Sequence, residues 1–200
     1  MTDELLIPYG VSDDRFLQRK AAKGQITKRE IRALSISFLK LLKSSVVWDI
    51  GSATGSIAIE ASKIAYEGQI YAIEKDLEHM HLLETNIRKH SAKNVSVISG
   101  EAPCALRALP RPDSVFIGGH GGLLEEIIDC AISELKDNGS IVLNFASVER
   151  SVRAYNILKD ANMVPDYLSV NISRGRELAD KSLVLSPINP IFIVSGVKTK

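Results

Sequence analysis

Short apolar runs alternate along most of this chain with longer stretches in which apolar residues recur every three or four positions. Val46 to Ile50, Gln69 to Ile73, Val95 to Ile98, Ser114 to Ile117 and Ile141 to Leu143 are runs of the kind that form buried strands of a parallel sheet. Between them, Ile57, Ala61, Ile64 and Ala65 mark one helix, ended by Gly68. Leu77, Met80, Leu83 and Ile87 mark a second, capped by Asp76. A short helix to Leu109 follows Gly100-Glu101-Ala102, and Leu124, Ile127, Ile128, Ala131, Ile132 and Leu135 mark the next, closed by Lys136-Asp137-Asn138-Gly139. A last helix runs from Val148 to Asn162. Upstream, Thr27-Lys28-Arg29-Glu30 reads as a capping box that opens a helix through Leu42, with Thr27 as the cap and Glu30 reaching back. Strands that alternate with helices at this spacing predict an α/β fold, an open and mostly parallel sheet with helices on both faces. The tail departs from the rhythm. Tyr167 to Ile172 and Ile191 to Val197 are β-rich with no helical repeat between them, which predicts an antiparallel pair at the sheet edge.

Residues 1–24 carry no clear period and read as an irregular N-terminal arm, followed by a single domain over 25–200. Length and composition agree with one domain: 200 residues, 45% hydrophobic and 24% charged. A formal net charge of +1 supplies no chain-wide basic field, so neither nucleic acid nor an anionic membrane is an expected partner. No apolar run approaches the ~20 residues of a membrane span, and the acidic start lacks the order of a signal peptide. Cys104 and Cys130 lie far apart without metal-ligand spacing. The expectation is a cytoplasmic protein with reduced thiols and no metal.

Ligands of such sheets sit beyond the carboxyl ends of the strands, which directs attention to Asp49 to Gly55, Glu74, Glu101-Ala102 and Gly118 to Gly122. The first turn is D-I-G-S-A-T-G-S. Set against the dinucleotide fingerprint G-x-G-x-x-G, Gly51 matches, but Ala53 and Ser56 stand where the other glycines belong. No Gly-Lys-Ser/Thr end follows Gly55, so the P-loop is also excluded. What remains, Asp49-x-Gly51-x-x-x-Gly55, resembles motif I of the class I S-adenosylmethionine-dependent methyltransferases, a Rossmann-like fold. S-adenosylmethionine has no phosphate and carries a sulfonium cation, so an acid at this turn is compatible with it. Glu74, at the end of the second strand, sits where nucleotide-binding folds place an acid for ribose hydroxyls, and Glu101-Ala102 would lie beside the adenine.

The loop after the fourth strand, Gly118-Gly119-His120-Gly121-Gly122, has no proline or aromatic residue to stack a flipped base. Taken together, Gly10 to Phe16 (GVSDDRF), Gln25 to Glu30 (QITKRE), the DIGSATGS turn, the IGGHGG loop and Asn171 to Arg176 (NISRGR) resemble the CbiT family of cobalamin biosynthesis, the decarboxylating C-15 methyltransferases of cobalt-precorrin-6B. The resemblance covers residues 10–197 and implies methyl transfer to a tetrapyrrole ring carbon with loss of the ring C acetate as carbon dioxide. It implies cofactor contacts from Thr27, Gly51, Ser52, Ala53, Thr54, Gly55, Glu74 and Ala102, with Asp49 and Glu101 beside them. It also implies a homo-oligomer, a tetramer in this family. The many carboxylates of the acceptor call for arginine. Arg174 and Arg176 are the candidates, with Gly118 and Gly119 lining the acceptor side. His120 departs from the family's small residue in this loop and is the candidate proton carrier. Two alternatives stay open: a methyltransferase acting on tRNA or a protein, and a cofactor-binding paralogue without turnover.

Overall fold

The computed structural model describes residues 10–19 and 26–199. Twelve main elements follow in chain order: α1 Arg29–Phe38, β1 Val46–Ile50, α2 Ser56–Ile64, β2 Gln69–Glu74, α3 Leu77–Lys89, β3 Val95–Ser99, β4 Ser114–Ile117, α4 Leu124–Glu134, β5 Ser140–Phe145, α5 Val148–Asp160, β6 Val164–Glu177 and β7 Leu183–Val197. The seven strands form one sheet in the order β3-β2-β1-β4-β5-β7-β6. The first five are parallel, and β7 runs antiparallel between β5 and β6. The order reverses between β1 and β4, and that is where an open α/β sheet leaves a crevice for a ligand.

Side chains alternate between two apolar layers, as the period of a strand requires. Trp48, Val115, Ile117, Ile141 and Leu143 face α4 and α5. Phe116, Val142 and Ile193 face α1 and α2 from the other side, joined by Val47 and Ile70. The Trp48 indole is fully buried and donates Nε1–H to the Pro110 carbonyl at 3.1 Å. Asp76 caps α3 as expected, accepting from the amides of Glu78 and His79.

Three expectations are corrected. The capping box at Thr27 does not form: Lys28 occupies the cap position with no side-chain bond. The Thr27 carbonyl instead accepts from Arg32, and the Glu30 carboxylate reaches outward to Arg174. α1 stops at Phe38 rather than Leu42, because Lys40 takes φ +49° and Ser45 Oγ accepts from the Leu42 amide. The tail strands are far longer than read, 14 and 15 residues, and form one hairpin with a register shift at Val170/Ile172. Pro187 and Pro190 obscured this in the sequence. The chain tolerates them because β5 pairs only with Phe192–Val197, so both prolines sit where β7 has a single neighbour.

Residues 1–9 and 20–24 of the arm lie outside the described residues, but 10–19 pack closely. Arg32 and Glu60 are both fully buried, with Nε to Oε1 at 2.6 Å. The Glu60 carboxylate accepts from the Gly10 and Val11 amides at 2.7 and 3.0 Å. The Arg32 guanidinium donates to the Val11 and Thr27 carbonyls, pairs with Asp13 at 3.2 Å and lies over the Phe16 ring. Further along, the Leu17 amide and carbonyl both bond to Asn86. Because removing one partner strands the other charge in the interior, Arg32→Ala should cost about 3–5 kcal/mol in chemical denaturation and release the Gly10 and Val11 amides to fast hydrogen exchange. A loss within about 0.5 kcal/mol, the ordinary surface range, would show that the arm is held by other contacts.

Candidate active site

The turn after β1 is built from backbone that folds back on itself. Gly51 has φ +71°, and a Cβ there would stand 2.6 Å from the Gly119 nitrogen, so the ends of β1 and β4 meet main chain to main chain. Gly55, at φ +76°, starts α2, and a Cβ on it would strike Leu83. Ala53 also takes a left-handed φ, +48°. The third glycine position is thus filled by a residue whose Cβ is strained there, and the turn keeps the glycine-like conformation despite it.

Asp49 lies beneath this turn, 1% exposed. Its Oδ2 accepts from Ser52 Oγ at 2.6 Å and from the Ala58 amide at 3.1 Å, tying the turn to the start of α2. Burial pushes its carboxyl up to about 7, against the Ser52 and Ala58 hydrogen bonds, and the nearby Glu74 charge adds to the rise. Thr54 is fully buried behind the turn, with its carbonyl held by Asn86. Thr27, Asp49, Ser52 and Ala53 share a narrow recess with Gly51 and Gly118, so the α1 entry closes one side of the turn.

Beside the turn opens a cavity of about 410 Å³ lined by Gly51, Ala53, Glu74, Glu101, Ala102 and Ile127, together with the Gly118–Gly121 loop. Glu74 is 7% exposed. Its Oε2 accepts from the Ala53 amide, and its Oε1 from the amides of Lys75 and Asp76, all at 2.9 Å. Three amide donors fix the carboxylate and leave Oε2 with capacity for a further hydroxyl. Glu101 pairs with Lys75 at 2.6 Å across the rim, which raises the lysine's pKa. Arg19 and His79 also line this cavity, and neither was singled out in the sequence. Arg19 comes from the arm and reaches Glu78 of α3 at 2.6 Å. No periodicity or motif marks a residue whose position depends on how the arm folds back.

His120 lines the same cavity, and its ring tilts against Phe145 with centroids 6.5 Å apart. Nδ1 accepts from the Gly122 amide at 3.3 Å. Burial, and then the Arg150 charge, hold its pKa below the usual histidine value, so the ring is neutral near pH 7. The hairpin arginines stand away from this cavity. Arg174 makes a double contact with Glu30, at 3.0 and 2.7 Å, and pairs with Asp13 at 3.7 Å. Its Nη2 is engaged within the protein. Arg176 is exposed on β6, opposite Val184. Neither lines the cavity.

The cavity fits S-adenosylmethionine. Its volume lies in the range of small-ligand pockets, roughly 300–1,000 Å³. A carboxylate is held at the end of β2 for vicinal hydroxyls, apolar Ala102 and Ile127 offer a surface for a flat base, and the Gly51 backbone is bare where a Cβ would intrude. Sheet order, antiparallel β7 and this site define a class I S-adenosylmethionine-dependent methyltransferase. The family model of the precorrin methyltransferase domain matches residues 20–193, and the chain belongs to that family. It is 36% identical over 191 residues to a probable cobalt-precorrin-6B C(15)-methyltransferase (decarboxylating) of Sulfolobus acidocaldarius, covering 94% of this chain and 97% of that one. The crystal structure of precorrin-6Y C5,15-methyltransferase from Geobacter metallireducens GS-15 superposes with a TM-score of 0.90 at 37% identity, over 96% and 99% of the two chains. That of precorrin 8W decarboxylase from Methanobacterium thermoautotrophicum superposes with 0.86 at 29% identity, over 93% and 98%.

Two outcomes are expected at the turn. Asp49 titrates near 3.8 when unfolded and near 7 when folded, so its contribution to stability is complete below the first value and lost as pH rises through the second. Thermal denaturation of the cofactor-free protein should therefore show a shallower fall in Tm from pH 4 to 8 for Asp49→Asn than for wild type, and parallel curves would exclude this role. Ala53→Gly relieves the left-handed strain and should stabilise the fold by up to about 1 kcal/mol, read as a higher urea midpoint with unchanged slope. A lower midpoint would mean that the turn needs the stiffness of alanine.

Proposed function

We propose that this protein transfers a methyl group from S-adenosylmethionine to C-15 of cobalt-precorrin-6B, or of its metal-free counterpart, and that the ring C acetate leaves as carbon dioxide. The observation that carries the reading is a cavity beside the glycine turn, lined by Glu74, in a chain that aligns over 94% of its length with a relative named for this C(15) reaction. When bound, the cofactor supplies an electrophilic methyl, and its sulfur keeps the bonding electron pair. On the acceptor, the ring carbon exchanges a hydrogen for the methyl, and the acetate carbon exchanges its carboxylate for a hydrogen. One proton leaves and one enters, so no strong base is required.

The chain's residues then have definite work. The Gly51–Gly119 contact keeps two backbone segments close enough to wall the reaction centre. Glu74, fixed by three amides, accepts from the ribose hydroxyls. The Lys75–Glu101 pair spans the cavity rim. His120 is neutral with Nδ1 occupied by Gly122, so Nε2 carries its hydrogen and can donate a hydrogen bond to the acceptor. Holding the ring carbon in line with sulfur and methyl supplies most of the rate.

The proposal extends to a cytoplasmic homotetramer. Leu183 and Leu185, about 70% exposed on the projecting hairpin, support a contact between copies. Anaerobic incubation with cobalt-precorrin-6B and S-adenosylmethionine should give a product heavier by one methylene and lighter by one carbon dioxide in the mass spectrum. An unchanged macrocycle, with cofactor binding shown by calorimetry, would overturn this assignment of the acceptor.

A further inference from the structure

A second cavity, about 750 Å³, opens on the far side of Gly118. It is walled by the arm, the start of α1, the end of β5 and the root of the hairpin, and it shares only Arg19 and Gly118 with the cofactor cavity. Its surface differs from the first. Ile31, Phe145, Ile172 and Ile188 make it apolar, and among the described residues its charged lining is Arg19 and Lys28, with no carboxylate. The cofactor cavity, by contrast, sets Glu74 and Glu101 against Arg19 and Lys75, so its charges balance. An anionic guest is therefore drawn to the second cavity rather than the first.

We propose that this second cavity is the acceptor site, built for a flat macrocycle with carboxylate arms, and that Lys28 and Asn144 are its polar anchors; the choice of macrocycle, though not the cavity's chemistry, rests on the methyl-transfer reading above. Lys28 occupies the α1 cap position without capping the helix. Its side chain is 44% exposed and its ammonium is 3.9 Å from the Asp13 carboxylate, at the outer limit of an ion pair. Arg174 directs its Nη2 to Glu30 at 2.7 Å, a closer pairing. Asn144 is set by a fully buried neighbour. Ser35 Oγ donates to the Ile31 carbonyl at 2.8 Å and so accepts from Asn144 Nδ2, also at 2.8 Å. Asn144 Oδ1 also lies 3.2 Å from Ser35 Oγ, so the amide is held at its buried edge and its second N–H is left for the cavity that Asn144 lines. Ser35 is a positioning residue in this scheme. Gly118 lines the cofactor cavity, the recess by the turn and the acceptor cavity alike, which makes it the threshold the methyl group crosses.

Uroporphyrin, a fluorescent planar macrocycle with carboxylate arms that is not a methyl acceptor, is a suitable probe. Lys28→Glu should weaken its binding by about tenfold or more, a lost close charge contact of at least 1.4 kcal/mol, and should reduce the salt dependence of what remains. Asn144→Ala should weaken it several-fold. Both variants should bind S-adenosylhomocysteine within about twofold of wild type and raise KM for cobalt-precorrin-6B more than they lower kcat. The inference is overturned if Arg174→Gln or Arg176→Gln carries the loss instead, if the probe displaces S-adenosylhomocysteine, or if neither probe affinity nor KM responds to Lys28 and Asn144. Failure of wild-type turnover alongside Lys28-dependent probe binding would remove the methyl-transfer reading and leave the cavity assignment standing.

Discussion

The buried pair of Arg32 and Glu60 is the contact on which the outer half of the site depends. Two charges in a dry interior are tolerable only if nearly every donor and acceptor is matched. Here the matching groups are main-chain atoms of Gly10, Val11 and Thr27. The demand for satisfaction therefore fixes the course of the chain before α1. Apolar residues of similar size would hold α1 to α2 as well, but they would leave the arm free. What the ions confer is a unique path, and along that path lie Gln18, Arg19, Thr27 and Lys28, the arm-side wall of both cavities.

The inner half is governed by steric exclusion at the strand ends. Gly51 against Gly119 brings β1 and β4 closer than side chains would permit, at the point where the strand order reverses. Asp49 braces the turn from below while Glu74 braces it from the side through the Ala53 amide. Acids and glycines thus do different work in one motif: the glycines make room, and the acids hold the loop that borders it.

How much of this was legible in the sequence follows the range of the interactions. The βα rhythm and the Asp76 cap depend on near neighbours and were read correctly, and the glycine turn at Gly51 and Glu74 lie at the strand ends to which the pattern assigned them. The capping box at Thr27 failed because two arginines compete for its groups: Arg32 takes the Thr27 carbonyl from five residues away, and Arg174 takes Glu30 from 144 residues away. The hairpin was read too short because Pro187 and Pro190 signal a break unless one knows that β5 ends before them. Glu60 inside an apolar helix was a visible anomaly, and its partner across 28 residues was not. The acceptor cavity was beyond reach for the same reason, being assembled from the arm, α1, β5 and the hairpin, no two of which are adjacent in a motif.

The wall that Arg19 shares between the two cavities has a thermodynamic consequence. A side chain that borders two guests cannot adjust to one without changing the surroundings of the other. Whatever factor the bound cofactor imposes on the affinity for the macrocycle, the macrocycle must impose the same factor on the cofactor. The demethylated cofactor left after transfer has lost its positive charge, and so presents that wall with a different neighbour. Reciprocity then couples the two affinities by one shared factor, and in the proposed scheme the guanidinium anchored to Glu78 is the side chain that carries it.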